Sequence, residues 1–403
     1  MNGGIYLSNK VYVGISIGDI HFGSSIKSKD LYYQLQKGYL NYIEKLKVID
    51  FIVIVGDFFN TKISMNSDHA KYSLQFIFRL LEIAYKKNIK VRLIKGTESH
   101  DNKQLEILEI YTKNNKYDFK IIYTVESELL FDDLKVLYLP EEYVENKDDY
   151  YKEYFESKYD MIFGHGLFGE VVFVANKQES EMTMSKAPIF NSDTLLNITD
   201  GLIMFGHIHE SQIIKERIFY TGSFSRWCFG EENDKGFYLF SYSPISKSFN
   251  TEFIINNLAK RYDTITIDYN NKSFFNNSEK EQIDYLIQLV DSLIIDYIRL
   301  IINIPEDFHN TLLFTNMINE VFNKYSNVKV IINNNSKLRQ KKETEEKINL
   351  LLEKYGFIFN KNICPEEKIS NFIKIKYNKD ITVDKIRYYL YQQIQRRTSF
   401  NGK

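Results

Sequence analysis

Short runs of β-branched and aromatic residues recur from Val11 to about Phe240, and several of them stop at a glycine followed by Asp or His. Such runs read as buried strands that deliver a polar loop at their carboxyl ends. The clearest are Tyr12–Ile17, Phe51–Val55, Val91–Ile94, Tyr159–Phe163 and Leu202–Phe205. Between them, Leu31–Val48 and Tyr72–Lys87 place apolar residues three and four apart, the spacing of a helix with one buried face. Strand and helix alternate, so the pattern predicts a layered α/β architecture.

After Phe240 the glycine–histidine signals stop. Tyr262–Asp268, Ile283–Leu293, Tyr297–Ile304, Leu312–Tyr325 and Val328–Ile332 read as strand, helix, strand, helix and strand, a small separate α/β domain. The polar run from Asn333 to Ser336 reads as a linker, and Lys337 to Lys403 as a mainly helical tail. Within that tail Val383, Ile386, Leu390 and Ile394 fall on one helix face, with Arg387, Arg396 and Arg397 nearby. No internal repeat is evident.

Composition narrows the function classes. A chain of 403 residues suits two or three domains, and 44% hydrophobic with 26% charged residues places it among globular proteins. The formal net charge of −1 excludes a grip on nucleic acid by global basic excess, so any hold on DNA must be local, metal-assisted or shared with a partner. Cys228 and Cys364 are the only cysteines, which gives no disulfide framework and no thiolate metal site. A reducing cytosol fits that usage. The apolar stretch Val11–Ile17 is far too short to span a bilayer, so no membrane association is expected.

Five of the seven histidines sit where an apolar run meets a polar loop. They are His21 in Gly18-Asp19-Ile20-His21, His100 in Ser99-His100-Asp101, His165 in Gly164-His165-Gly166, and the pair in Gly206-His207-Ile208-His209. Asp57, in Gly56-Asp57, completes the set. Imidazoles and carboxylates hold manganese, iron and zinc, and strand-end loops can bring them into one cleft. Asp-x-His and His-x-His put alternate residues on the same side of an extended segment. Each piece alone is weak, because a single Gly-Asp after a strand is usually a turn and a single Gly-His usually a cap or packing residue. Their joint occurrence in order is what points to a metal site. His69 and His309 lack a partner motif and read as structural.

In that order the blocks resemble the signature motifs of the calcineurin-like metallophosphoesterases. The segment Tyr220-Thr221-Gly222-Ser223, through Arg226 and Phe229-Gly230-Glu231-Glu232 to Lys235-Gly236-Phe237, is similar to SbcD-type nucleases of recombination and repair complexes, including those of phages. The likeness covers residues 11 to about 240 well and the remainder only in general plan. It implies a layered α-β-β-α nuclease domain over 1–258, a small α/β DNA-binding capping domain over 259–332, and a helical tail over 337–403. It further implies two divalent ions, Mn2+ first, with Mg2+, Fe2+ and Zn2+ open. Asp19, His21, Asp57 and His209 would hold one ion, and Asp57 would bridge to a second held by His165 and His207. His100 would face the scissile phosphate, oriented by Asp101, while an activated water attacks phosphorus in line. Arg226 and Lys235 could touch DNA phosphates or stay as solvated surface residues. The implied setting is cytoplasmic, as a homodimer, with a coiled-coil ATPase of the SbcC type as partner. The tail stripe then either packs onto the chain's own body or docks in a groove of that ATPase.

Two departures stand out. The family usually has Gly-Asn-His-Asp, whose Asn carbonyl ligates the second ion, where this chain has Gly96-Thr97-Glu98-Ser99-His100-Asp101. Either Ser99 ligates in place of the amide, or the loop merely turns there and Glu98 or water fills the gap. Asn60 stands where some relatives carry an assisting histidine. Other phosphoesterase substrates, or a scaffold that has lost its chemistry, are the competing functions.

Overall fold

Why a strand should be apolar at every position becomes plain from the alternation along β2 in the computed structural model. Phe51, Val53 and Val55 join one core cluster while Ile52 and Ile54 join another, because successive side chains point to opposite faces of a sheet. The structure describes residues 10–113, 116–170, 188–305, 308, 311–334 and 363–389. Among these the strands are β1 Tyr12–Ile17, β2 Phe51–Val55, β3 Lys90–Ile94, β4 Phe119–Ile122, β5 Glu126–Leu130 and β6 Leu134–Leu139. They continue with β7 Met161–His165, β8 Leu167–Phe168, β9 Ile189–Phe190, β10 Ile203–Gly206, β11 Gln212–Ile214 and β12 Ile218–Tyr220. The last are β13 Gly236–Ser243, β14 Ser248–Ile255, β15 Tyr262–Ile267, β16 Tyr297–Ile304 and β17 Val328–Asn334.

Two six-stranded sheets dominate, in the orders β14-β13-β1-β2-β3-β4 and β11-β12-β10-β7-β6-β5. In the first, β1 to β4 run parallel and β13 closes antiparallel on β1. In the second, β6, β7, β10 and β12 run parallel, with β5 and β11 antiparallel at the edges. Phe51, Val53 and Val55 share a single cluster with Val136 and Tyr138 of β6, Met161 and Phe163 of β7, and Met204 of β10. This cluster is the shared interior of the two sheets. The opposite faces are covered by helices: Leu31, Leu35, Tyr39, Phe76 and Leu80 against the first sheet, Tyr151, Leu195 and Ile198 against the second. The mixed α/β expectation therefore holds.

The helix expected over Leu31–Val48 runs from Ser28 to Lys45, with Leu35–Leu40 wound as a π-helix. The helix expected from Tyr72 starts at Asp68, because Ser67 caps it by accepting from the Ala70 N–H at 3.3 Å. Asn88 ends it in the left-handed region.

By internal contacts the chain divides into two units. The first comprises Met1–Ile265, Gln288–Arg299 and Tyr325–Lys329, the second Thr266–Ile287, Leu300–Lys324 and Val330–Lys403. The expected small α/β segment is present as a sheet in the order β15-β16-β17 with helices Glu279–Asp291 and Thr311–Phe322. Strand β17 runs through Asn333 and Asn334, which the sequence suggested as linker; the Asn333 amide donates to Asn303 Oδ1 at 3.0 Å and keeps the strand on its neighbour. In the tail, helix Pro365–Tyr377 is followed by helical residues 383–389. These pack on each other through Ser370 Oγ to the Ile381 carbonyl, 2.6 Å, and Arg387 to Glu366, 3.7 Å, with Ile386 buried. Leu390, Ile394, Arg396 and Arg397, like His309, lie outside the described residues. No helix among the described residues is long and apolar enough to cross a membrane.

The interlayer makes a direct prediction. Phe163 is fully buried between Phe51, Tyr138 and Phe240. Phe163→Ala should cost about 3–5 kcal/mol, read as a lower urea midpoint with little change in slope.

Candidate metal centre

Because β1, β2 and β3 of one sheet and β6, β7 and β10 of the other each run parallel, their carboxyl ends lie together, and the loops that leave them carry the polar residues. β1 delivers Asp19 and His21, β2 delivers Asp57, and β3 leads through Gly96 to Thr97, His100 and Asp101. From the other sheet β6 delivers Glu141, β7 ends on His165, and β10 leads to His207 and His209. Backbone bonds lace these loops: the N–H groups of Asp19 and His21 donate to the Gly56 and Asp57 carbonyls at 3.1 and 3.0 Å. The His207 N–H donates across the sheets to the Asp19 carboxylate at 3.0 Å.

The approach is close enough to dictate residue type. A Cβ on Gly206 would lie 2.1 Å from the Val55 carbonyl oxygen, and one on Gly56, at φ +86°, would lie 2.3 Å from His165 Nδ1. Asp19, His21, Asp57 and His207 themselves adopt φ of 49°, 55°, 50° and 97°, a region costly for any residue with a Cβ. Strain of this kind persists where a site over-determines it.

Three sets of side chains bring ligand atoms within 4.8 Å of one another: Asp19 with His21 and His209, His21 with Asp57 and His100, and Asp57 with His165 and His207. His21 Nε2 and His209 Nε2 are 2.9 Å apart. His165 Nε2 lies 3.3 Å and His100 Nδ1 2.9 Å from Asp57 Oδ2. All of the set except His100 and His207 are buried. The carbonyl of Val55 accepts from His165 Nδ1 at 2.8 Å, and the Glu231 carboxylate accepts from His209 Nδ1 at 2.9 Å. A partner on Nδ1 leaves the Nε2 lone pair of each ring facing the cluster, the arrangement that orients imidazole ligands. Converging lone pairs and carboxylates of this kind fit Mn2+, Fe2+ or Zn2+.

Electrostatics couple the set. Burial pushes the Asp57 carboxyl up, but His165 and His100 outweigh it and hold it well below the usual range. Burial also opposes charge on His165, yet Asp57, Asp19 and Glu141 carry it up to about 10. Burial dominates at Asp19, raised to about 6, and at Asp101, raised to about 7 with Asp57 adding to it. His21 is pushed well below 6.5 by burial and by its neighbour His209. For His100 the Asp57 carboxylate prevails over burial and raises it.

Three expectations need correction. Ser99 is exposed, turned away from the cluster of buried carboxylates and imidazoles. The Thr97 carbonyl accepts from the His100 and Asp101 N–H groups, both 2.9 Å, so the two extra residues form a turn with Ser99 at its outer edge. Thr97 takes the inner position instead: its N–H donates to Asp57 Oδ1 at 2.6 Å, and its hydroxyl lies 3.2 Å from Asp57 Oδ2. Glu98 pairs with Lys95 at 3.3 Å. Lys235 and Arg226 are buried, not at a surface facing DNA. Lys235 donates to the His209 carbonyl and Ser223 Oγ at 2.8 and 2.9 Å, and Arg226 to the Asn233 carbonyl at 2.7 Å. Asp101 is not hydrogen-bonded to the His100 ring as expected: its two oxygens accept from the Phe59 and Gly96 N–H groups at 3.0 and 2.8 Å, and it acts on His100 through its charge and the loop it pins.

Sequence reasoning missed Glu141 altogether. It is fully buried, with Oε2 3.1 Å from His207 Nδ1 and 3.7 Å from His165 Nε2. Burial raises its pKa, but the His207 bond and His165 outweigh this and lower it. The available signal was a Pro140-Glu141 step directly after an apolar strand, which resembles any strand end.

No protein-family model matches the chain, and no curated protein matches it. Among solved structures, one crystal structure aligns over 61% of this chain and 100% of its own, at 12% identity and a TM-score of 0.37. A likeness that slight says nothing about activity.

The His165 shift sets a pH dependence. Its folded value of about 10 exceeds the ordinary 6.5, so the proton favours the folded state. That contribution is complete below about pH 6.5 and drains as pH rises toward 10. Metal-free protein should therefore melt at progressively lower temperature from pH 6.5 to 10, and a divalent cation binding in place of that proton should restore the loss. Ser99→Ala should leave the Mn2+ affinity unchanged, measured by calorimetric titration.

Proposed function

We propose that the chain is a two-metal phosphodiesterase of the calcineurin-like class that cleaves DNA, in the manner of an SbcD-type nuclease subunit. The observation that carries the reading is the convergence of Asp19, His21, Asp57, His165, His207 and His209 from the facing strand ends of two sheets, with Asp57 common to two of the three ligand sets. Two stacked sheets clad by helices also accord with the layered α-β-β-α arrangement of that class. Metal-lost scaffolds have no need to keep four ligand residues in strained backbone.

In this reading Asp19, His21, Asp57 and His209 hold one divalent ion, and Asp57, His165 and His207 a second. Bound divalent ions supply Lewis acidity at phosphorus and a nucleophile from water. The chain's own contribution is to fix the donors and to manage one proton. His100 is the most exposed imidazole of the cluster, its side chain 29% accessible against 11% for His207 and 5% or less for the others. It is thus the ring a substrate phosphate can meet, and Asp57 keeps it protonated further into the neutral range. Proton donation to the leaving oxygen is its assigned role. Asp101 positions it by pinning the loop to Phe59 and Gly96.

DNA as substrate, the capping role of the segment after residue 258, homodimerisation and a coiled-coil ATPase partner all rest on the motif resemblance. Burial of Arg226 and Lys235 gives them other jobs: Lys235 lies 3.8 Å from Glu231, which holds His209, and so braces that loop, while Arg226 donates to the Asn233 carbonyl at 2.7 Å within its own segment.

Asp57→Asn should abolish hydrolysis while leaving the fold intact by circular dichroism. His100→Gln should keep its metal content but lose about two to four powers of ten in rate. Assaying duplex DNA beside bis-p-nitrophenyl phosphate with Mn2+ decides the substrate: turnover of the small diester alone would leave a phosphodiesterase that is not a nuclease.

A further inference from the structure

We infer that Glu141 is a direct ligand of the second divalent ion, taking the place of the amide oxygen that this chain lacks. The inference rests on the two-metal reading above and deepens it. Four donor atoms gather around the Thr97 hydroxyl at the inner end of its loop. Asp57 Oδ2 lies 3.2 Å from Thr97 Oγ1, Glu141 Oε2 3.3 Å, His165 Nε2 3.4 Å and His207 Nδ1 3.5 Å. Glu141 Oε2 itself lies 3.1 Å from His207 Nδ1 and 3.7 Å from His165 Nε2, so two imidazoles and two carboxylates come together as a donor set suited to a small divalent cation.

The geometry separates a ligand from a carboxylate that merely orients a ligand. An orienting carboxylate binds the ring nitrogen turned away from the metal. Glu231 does this: it accepts from His209 Nδ1, while His209 Nε2 faces His21. Glu141 does the opposite. Its Oε2 lies against His207 Nδ1 and His165 Nε2, the nitrogens that look into the cluster. The far nitrogen of His165 is already held by Val55, and that of His207, Nε2, is buried without a hydrogen-bond partner. Glu141 therefore sits among the donors and not behind them.

Its placement is also fixed from outside. Oε1 accepts from the Tyr143 hydroxyl, and the Glu141 N–H donates to the Lys95 carbonyl at 3.3 Å. One oxygen is thus held by a phenol while the other points inward. The loop after Gly96 accounts for the need: its turn carries Ser99 outward and brings only the neutral Thr97 hydroxyl to the inner position. A carboxylate where an amide would otherwise stand lowers the net charge of the loaded centre by one. With Asp19, Asp57 and Glu141 ionised against two dications it is +1 instead of +2. A more anionic second site shifts the balance toward Mn2+ and Mg2+ relative to the same site with a neutral amide oxygen.

The test is a calorimetric titration of the full-length, metal-stripped protein with Mn2+ alone, alongside the Mn2+ electron paramagnetic resonance spectrum of the loaded protein. Wild type should take two ions and give the multiline spectrum of a coupled pair. Glu141→Gln keeps the shape and an oxygen but loses the charge; it should weaken one ion by at least about tenfold and leave the other unchanged. Glu141→Ala should bind a single ion and show only the six-line spectrum of isolated Mn2+. Two ions of unchanged affinity in both variants would overturn the assignment of Glu141 while leaving the two-metal reading in place. Equal weakening of both ions in Glu141→Gln would also overturn it, by showing a structural role. Fewer than two ions in wild type would instead defeat the two-metal reading itself.

Discussion

The carboxylate of Asp57 is the point on which the interior depends. It is 1% exposed, and an isolated ionised carboxylate buried to that degree would be too costly to keep. Here it is bordered by His165, His100 and the Thr97 N–H, whose charge and hydrogen bonds keep it ionised. Those partners arrive from two strand ends, Thr97 and His100 from β3 of one sheet and His165 from β7 of the other, so satisfying one carboxylate ties the two sheets together at their carboxyl edges. The glycines at 56 and 206 follow from the same demand, since a side chain at either would hold the loops apart.

How much of this was legible in the sequence depends on whether a residue announces itself by pattern. β1 and β2 were readable to the residue because β-branched and aromatic residues dominate strands buried on both faces, and the adjoining Gly-Asp marks the end. Helix starts were less so: Asp68–Lys87 begins four residues before its apolar stripe, at a cap whose partner is a backbone N–H. The Asp and His ligand candidates were legible because their blocks follow apolar strands in order, although Asp19 and His21 reach the cluster from left-handed backbone and not from the extended chain their spacing suggested. Ser99 misled for a related reason: it precedes His100 as the family's Asn does, but a turn of two extra residues breaks the register, and Thr97, directly after Gly96, holds the inner place.

Residues that act from a distance in sequence were invisible. Glu141 has no motif around it, and Glu231 lies within a segment that resemblance marked without giving it a task. Arg226 and Lys235 were read by charge as surface groups, whereas both are buried and donate to backbone carbonyls. Charge in a sequence does not tell which side of a loop it faces. The metal-centre reading accordingly rests on the assembled site, and DNA as substrate on the resemblance carried by the segment from Tyr220 to Phe237.

The central claim is that this buried set of carboxylates and imidazoles is a dinuclear metal centre organised by Asp57. Anomalous diffraction from crystals grown with Mn2+, collected above and below the manganese edge, tests it most directly. Two peaks about 3.5–4 Å apart, with the Asp57 carboxylate between them, are the result the account predicts. No peak at Asp57, or manganese bound only at surface carboxylates, would contradict it.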